Sequence, residues 1–167
     1  MKKQPIYEWD EKAGLATCCI WLDDFLHGYG IAQCAEKDRD MISERTGSQI
    51  AKMRAQIDML QNYKNRELRP GLKALVHLKG TMQISTRYNP DSYEAKRLDK
   101  EIKNIKEEIV AIQSQINSIK KQLQEYIRLK GIMFERIRNN DHEGYKDTDT
   151  ETLMKDIEVF EQYVDES

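Results

Sequence analysis

The chain has 167 residues, 34% of them charged and 39% apolar, with a formal net charge of −2. An apolar share this low suits long amphipathic helices with one solvated face better than a single compact core. No apolar run approaches the roughly 20 residues of a membrane-spanning helix, and no apolar stretch follows Lys2 and Lys3, so the sequence predicts a cytoplasmic protein without a signal peptide or membrane partner.

The near-neutral total hides an asymmetry. Residues 1–46 carry 6 basic and 9 acidic side chains, residues 47–140 carry 19 and 10, and residues 141–167 carry 2 and 10. The helical middle is therefore basic at +9 and the tail acidic at −8. A basic body favours an anionic partner, nucleotide or nucleic acid, although a lysine-rich solvated helix surface gives the same count.

Residues 1–42 read as a β-hairpin region. Leu15-Ala-Thr-Cys-Cys-Ile-Trp-Leu22 and Gly28-Tyr-Gly-Ile-Ala-Gln-Cys34 are strand-like runs around a polar break at Asp23–Gly28, with a short first strand expected at Ile6–Trp9. Gly28 and Gly30 suit a bulge or a close backbone approach. Cys18, Cys19 and Cys34 are odd in number and lack ligand spacing, so they read as small buried residues of a reduced protein.

Residues 43–83 read as helix. Ser43 is the expected N-cap, with Asp40 as the alternative, and Ile50, Met53, Ile57 and Leu60 form an apolar stripe. Pro70 beside Gly71 predicts a break or sharp kink near Arg69–Gly71. A connection follows, and Asn89-Pro90-Asp91-Ser92 looks like a helix start with Pro90 in the first turn.

Residues 90–138 predict one long helix. Leu98, Ile102, Ile105, Ile109, Ile112, Ile116, Ile119, Leu123 and Tyr126 alternate spacings of four and three without a violation. Such a strict seam favours a coiled-coil-like partner, from a second copy or from the chain itself. Ile127, Phe134 and Ile137 suggest a second register beyond it. The acidic tail, residues 141–167, contains Leu153, Ile157, Phe160 and Val164 at the spacing of a short amphipathic helix. The expected fold class is α+β, a small N-terminal antiparallel sheet followed by long helices in a hairpin or coiled-coil assembly.

Signs of catalysis are few. His27, His77 and His142 have no second ligand at metal spacing, and there is no GxSxG, P-loop or GxGxxG motif, so the sequence predicts neither an enzyme nor a cofactor. Binding determinants are easier to find. Arg87-Tyr88-Asn89 sets a cation, an aromatic face and an amide beside a helix N-terminus, where phosphate is attracted and a base can stack. Arg54, Lys96, Arg97 and Arg128 add positive charge, although solvated arginines and a tyrosine packed under its loop would look the same.

Two stretches resemble a group of small phage and prophage proteins. One is the strand ending G-x-A-x-C-x-x-x-D at Gly30–Asp38, followed by S-E-R-T-G-x-x-I-A-x-x-R-A at Ser43–Ala55. The other comprises Leu68-Arg-Pro-Gly-Leu-Lys-Ala-Leu75 and Tyr88-Asn-Pro-Asp-Ser-Tyr-Glu-Ala-Lys96. Within that group the chain resembles the first Thoeris anti-defence family over roughly residues 7–138. The resemblance implies a sponge that binds a cyclic ADP-ribose isomer or another cyclic nucleotide without cleaving it. It also implies a homo-oligomer, dimer or higher, with ligand pockets between subunits, and contacts from motif positions such as Arg54, Tyr88 and Asn89. A macromolecular inhibitor, a nucleic-acid-associated phage protein and a coiled-coil scaffold are the alternatives that the sequence leaves open.

Overall fold

The computed structural model describes residues 3–39 and 41–139. The Asp40 alternative cap and the amphipathic pattern of the tail therefore lie outside the described residues. The fold is α+β, with a three-stranded antiparallel sheet in the order β1-β2-β3 followed by long helices. β1 is Ile6–Asp10, β2 Leu15–Trp21 and β3 His27–Gln33. Gly14, at φ 60°, closes the first turn. In the second, the Asp23 carboxylate accepts the Phe25 and Leu26 N–H groups at 2.8 and 2.7 Å, an Asx turn that places the break where the sequence left it loose.

Helix α1, Glu44–Tyr63, starts at the expected cap, Ser43, whose side chain accepts the Thr46 N–H. Its two faces do different work. Ala51 and Ala55 pack against Ala16, Cys18, Ile20 and Ala32 of the sheet. Met53 packs against Tyr126 of helix α3, Tyr93–Arg138, with Ile50, Ile119, Leu123, Leu129 and Met133 around the pair. Helix α1 is therefore the middle layer between sheet and α3.

The sheet contact is unusually close. A Cβ on Gly30 would stand 1.9 Å from the Ala51 carbonyl oxygen, and one on Gly28 would stand 2.1 Å from that of Ala55. On the helix side, a Cβ on the buried Gly47 is replaced by the ring of Trp9, 2.8 Å from where it would stand. Backbone meets backbone here, so the close-approach reading of the strand glycines is the correct one and no bulge forms.

The expected break at Pro70 takes another form. A π-helical turn, Lys64–Leu68, joins α1 to α2, Arg69–Ile84, and the helix runs on through Pro70. The Arg69 N–H bonds to the Lys64 carbonyl, five residues back. The wider turn before Pro70 eases the clash that a proline ring makes with the carbonyl four residues earlier. Helix α3 begins at Tyr93, capped by Ser92, so Pro90 precedes the helix instead of lying in its first turn.

Helix α3 runs antiparallel to α1 and α2. Lys79 pairs with Asp99, Lys64 with Gln113 and Met53 with Tyr126, so one number falls as the other rises. The heptad seam thus finds its first partner within the chain: all nine positions from Leu98 to Tyr126 are buried or half-buried. Two polar contacts at the π turn pin the register, Tyr63 Oη donating to Glu108 at 2.7 Å and the buried Lys64 Nζ to Gln113 at 2.6 Å. The second register does not form. Phe134 is buried, but Ile127 and Ile137 are exposed, because Leu129 and Met133 carry the face that meets α1.

These contacts predict opposite outcomes for two glycine substitutions. Gly30→Ala should cost about 3 kcal/mol or more, because helix and strand must part. Gly131→Ala, where a Cβ would meet nothing within 4 Å in mid-helix, should stabilise by about 0.5–1 kcal/mol. Urea denaturation of the two variants checks both; equal effects would refute the packing described.

Candidate functional site: the α2–α3 connection

The chain between α2 and α3 is a turn fixed by its own polar groups. The Tyr88 N–H bonds to the Ser85 carbonyl at 3.0 Å, the Arg87 N–H to Ser85 Oγ at 3.3 Å, and the Asn89 side-chain oxygen accepts the Asp91 N–H at 2.9 Å. Met82, Arg87, Tyr88, Asn89, Ser92 and Glu94 line a shallow open pocket of about 320 Å³. Tyr88 is half-buried, while Arg87 and Asn89 are exposed.

Lys96 lies one turn beyond the α3 N-terminus, 3.6 Å from the Asp91 carboxylate. With Tyr93, Arg97, Lys100, Glu101 and Asn104 it lines a second open concavity of about 460 Å³. Tyr93 is 75% exposed and offers an aromatic face beside three cations. Lys100 and Tyr93 escaped the sequence reading, because a solvated helix face gives no periodic signal.

The other two proposed residues lie elsewhere. Arg128 forms a two-pronged ion pair with Glu125, Nε to Oε2 at 2.9 Å and Nη2 to Oε1 at 2.5 Å. It stands 35 residues along α3 from Tyr93, about 50 Å at about 1.5 Å per residue. Arg54 donates to the Ile31 carbonyl on the free edge of β3. Asp58 and Asn62, at successive four-residue steps, hold the Tyr29 N–H at 3.0 Å and the His27 carbonyl at 3.1 Å. These three side chains occupy outward backbone groups of an edge strand, which would otherwise pair with another chain. Within one chain, then, the six residues separate into two groups. Arg87, Tyr88, Asn89 and Lys96 sit at the far end of the helical hairpin, and Arg54 and Arg128 at the sheet end.

Among the described residues, no group of three His, Cys, Asp or Glu side chains is placed to hold a metal. Burial raises the thiol pKa of all three cysteines, that of Cys18 to about 11 against an opposing hydrogen bond from Tyr7. Raised thiols are poor nucleophiles and poor ligands at neutral pH. The Tyr63 hydroxyl, donating to Glu108, is likewise pushed up to about 12.

Stability should therefore fall in alkali. Between pH 9.0 and about 11 the unfolded chain releases the Cys18 proton while the folded chain keeps it, so the stabilisation present below pH 9.0 is lost as pH rises through that window. The urea midpoint should be lower at about pH 10.5 than at about pH 8, and Cys18→Ala should lose part of that drop. A variant with the same drop as the parent would contradict the assignment. Comparison of the chain with protein-family models, with curated proteins and with solved structures finds no match.

Proposed function

We propose that the protein captures a cyclic nucleotide signal of the cyclic ADP-ribose type and holds it unaltered, as an anti-defence sponge of phage origin. The observation that carries this reading is the cluster at the α2–α3 connection: a guanidinium, a half-buried aromatic ring and an amide line one pocket, with Lys96, Arg97 and Lys100 on the next turns. A nucleotide needs these groups, cations for phosphate and a ring for the base, and it needs no nucleophile or general base to be held. The resemblance of residues 28–55, 68–75 and 88–96 to small phage and prophage proteins, and within that group to the first Thoeris anti-defence family, supports the same reading.

Asp91 and Glu94 temper the attraction at the helix N-terminus, so the phosphate would lie towards Arg87, Arg97 and Lys100, away from the cap. The pocket is open on one side, and on this reading a second copy closes it, so the working form is a homo-oligomer in the host-cell cytoplasm. Among the described residues no helix is long and apolar enough to cross a membrane.

Isothermal titration with a cyclic ADP-ribose isomer should give saturable heat. Tyr88→Ala should weaken binding by about 1–3 kcal/mol, the value of one base–aromatic stack, and Arg87→Ala should weaken it further. Absence of heat with every cyclic nucleotide tried would sink the reading. Binding of duplex or single-stranded nucleic acid that falls steeply with salt would replace it by phosphate tracking along the basic helices.

A further inference from the structure

Helix α1 turns one face to the sheet and another to α3, and a flank between them is polar and basic. Arg45, Gln49, Lys52 and Gln56 follow one another along it at steps of four, three and four. At about 100° per residue they stand roughly 40–100° to one side of Met53, the residue that meets α3. Arg54 and Asp58, which hold the edge of β3, stand on the other side. On α3, Leu129, Ile132 and Arg136 stand roughly 60–120° from Tyr126 in the same rotational sense. The two helices are antiparallel, so both rows fall on one side of the hairpin and bound a groove, on the flank opposite the edge of β3.

The groove is basic with an apolar floor. Leu129 and Ile132 are half-buried along it, and Arg45, Lys52 and Arg136 are its cations. Glu125, on the same flank of α3, is engaged by Arg128. The opposite character belongs to the acidic tail. Residues 141–167 carry 10 acidic and 2 basic side chains, and Leu153, Ile157, Phe160 and Val164 are spaced by four, three and four. At helical spacing Asp156 and Glu161 fall on either side of that stripe. A segment this short and this acidic does not hold a helix in water by itself. Its stripe needs an apolar surface, and its flanks need cations.

Charge and reach choose the surface. The strands do not supply cations: residues 3–33 carry 2 basic and 5 acidic side chains. Helix α2 is basic, but the pairs Lys79–Asp99 and Lys64–Gln113 put Arg69 roughly 45 Å along the hairpin from Asn139. The chain from Asn139 to Leu153 spans that distance only when almost fully stretched. The α1–α3 groove begins where α3 ends, because Met53 is level with Tyr126 and Arg45 therefore with the last turns of α3. It runs roughly 20 Å from Arg136 to Gln122, against roughly 17 Å from Leu153 to Val164 in a helix. We propose that residues 150–164 fold back antiparallel to α3 and seat in this groove as a further helix. The apolar stripe then rests on Leu129 and Ile132, and the flanking carboxylates meet Arg45, Lys52 and Arg136. The tail is a strap over a basic flank of the chain's own hairpin.

Hydrogen–deuterium exchange of the full chain, without nucleotide and read by mass spectrometry, tests this. Amides of residues 153–164 should exchange at least about tenfold more slowly than in a free chain. Ile132→Asp in the floor, and Arg45→Glu with Lys52→Glu at the rim, should each return them to within about twofold of the free-chain rate while α1 and α3 keep their protection. Free-chain exchange in the wild type would overturn the proposal. So would protection that survives all three substitutions, since the tail would then rest on another surface. Protection that grows with protein concentration would overturn it too, since the occupied groove would be that of a second copy. Because no nucleotide is present, failure here is separable from failure of the sponge reading.

Discussion

The whole arrangement depends on how closely β3 can approach α1. A strand and a helix normally meet through side chains. Here Gly28 and Gly30 remove those of the strand, and Gly47, Ala51 and Ala55 reduce those of the helix nearly to nothing. The closeness puts β3's edge within reach of Arg54, Asp58 and Asn62, which can then satisfy its outward backbone groups. It also turns the opposite face of α1 to α3, where Met53 and Tyr126 begin the helical hairpin. Without the glycines the sheet would stand off, its edge would open, and α1 could not serve two layers.

The π turn is the second constraint. It lets one continuous helical path pass Pro70, and it buries Lys64 at the crossing with α3. A buried ammonium held by a neutral amide adds little stability. Its value is that a slipped hairpin would strand it, so it selects one register out of the several that an isoleucine-rich seam permits.

Much of the fold was legible in the sequence, because period and capping are local. The strands, the Ser43 cap and the seam from Leu98 to Tyr126 all follow from spacing. The π turn was not legible: proline predicts an interruption, and only tertiary packing decides between a break and a widened turn. Nor was Ile127's exposure, since a second apolar register can be continued or abandoned according to where α1 ends. At the candidate site, Arg87, Tyr88 and Asn89 are neighbours in sequence and lie together in space. Arg54 was legible as a cation but not as an edge-strand cap, although Arg54, Asp58 and Asn62 at four-residue steps beside Ala51 and Ala55 carry that pattern. The separation of Arg128 from the loop is a matter of helix length, and one chain cannot remove it.

The proposed function makes the protein a holder of a small anion, with helices as frame and the α2–α3 connection as grip. Its most direct test is to incubate the purified protein with a cyclic ADP-ribose isomer, remove free ligand, denature by heat and weigh what is released. The account predicts stoichiometric release of the intact nucleotide, lost in a Tyr88→Ala, Arg87→Ala double variant. Release of a cleaved product, or of nothing, would contradict it.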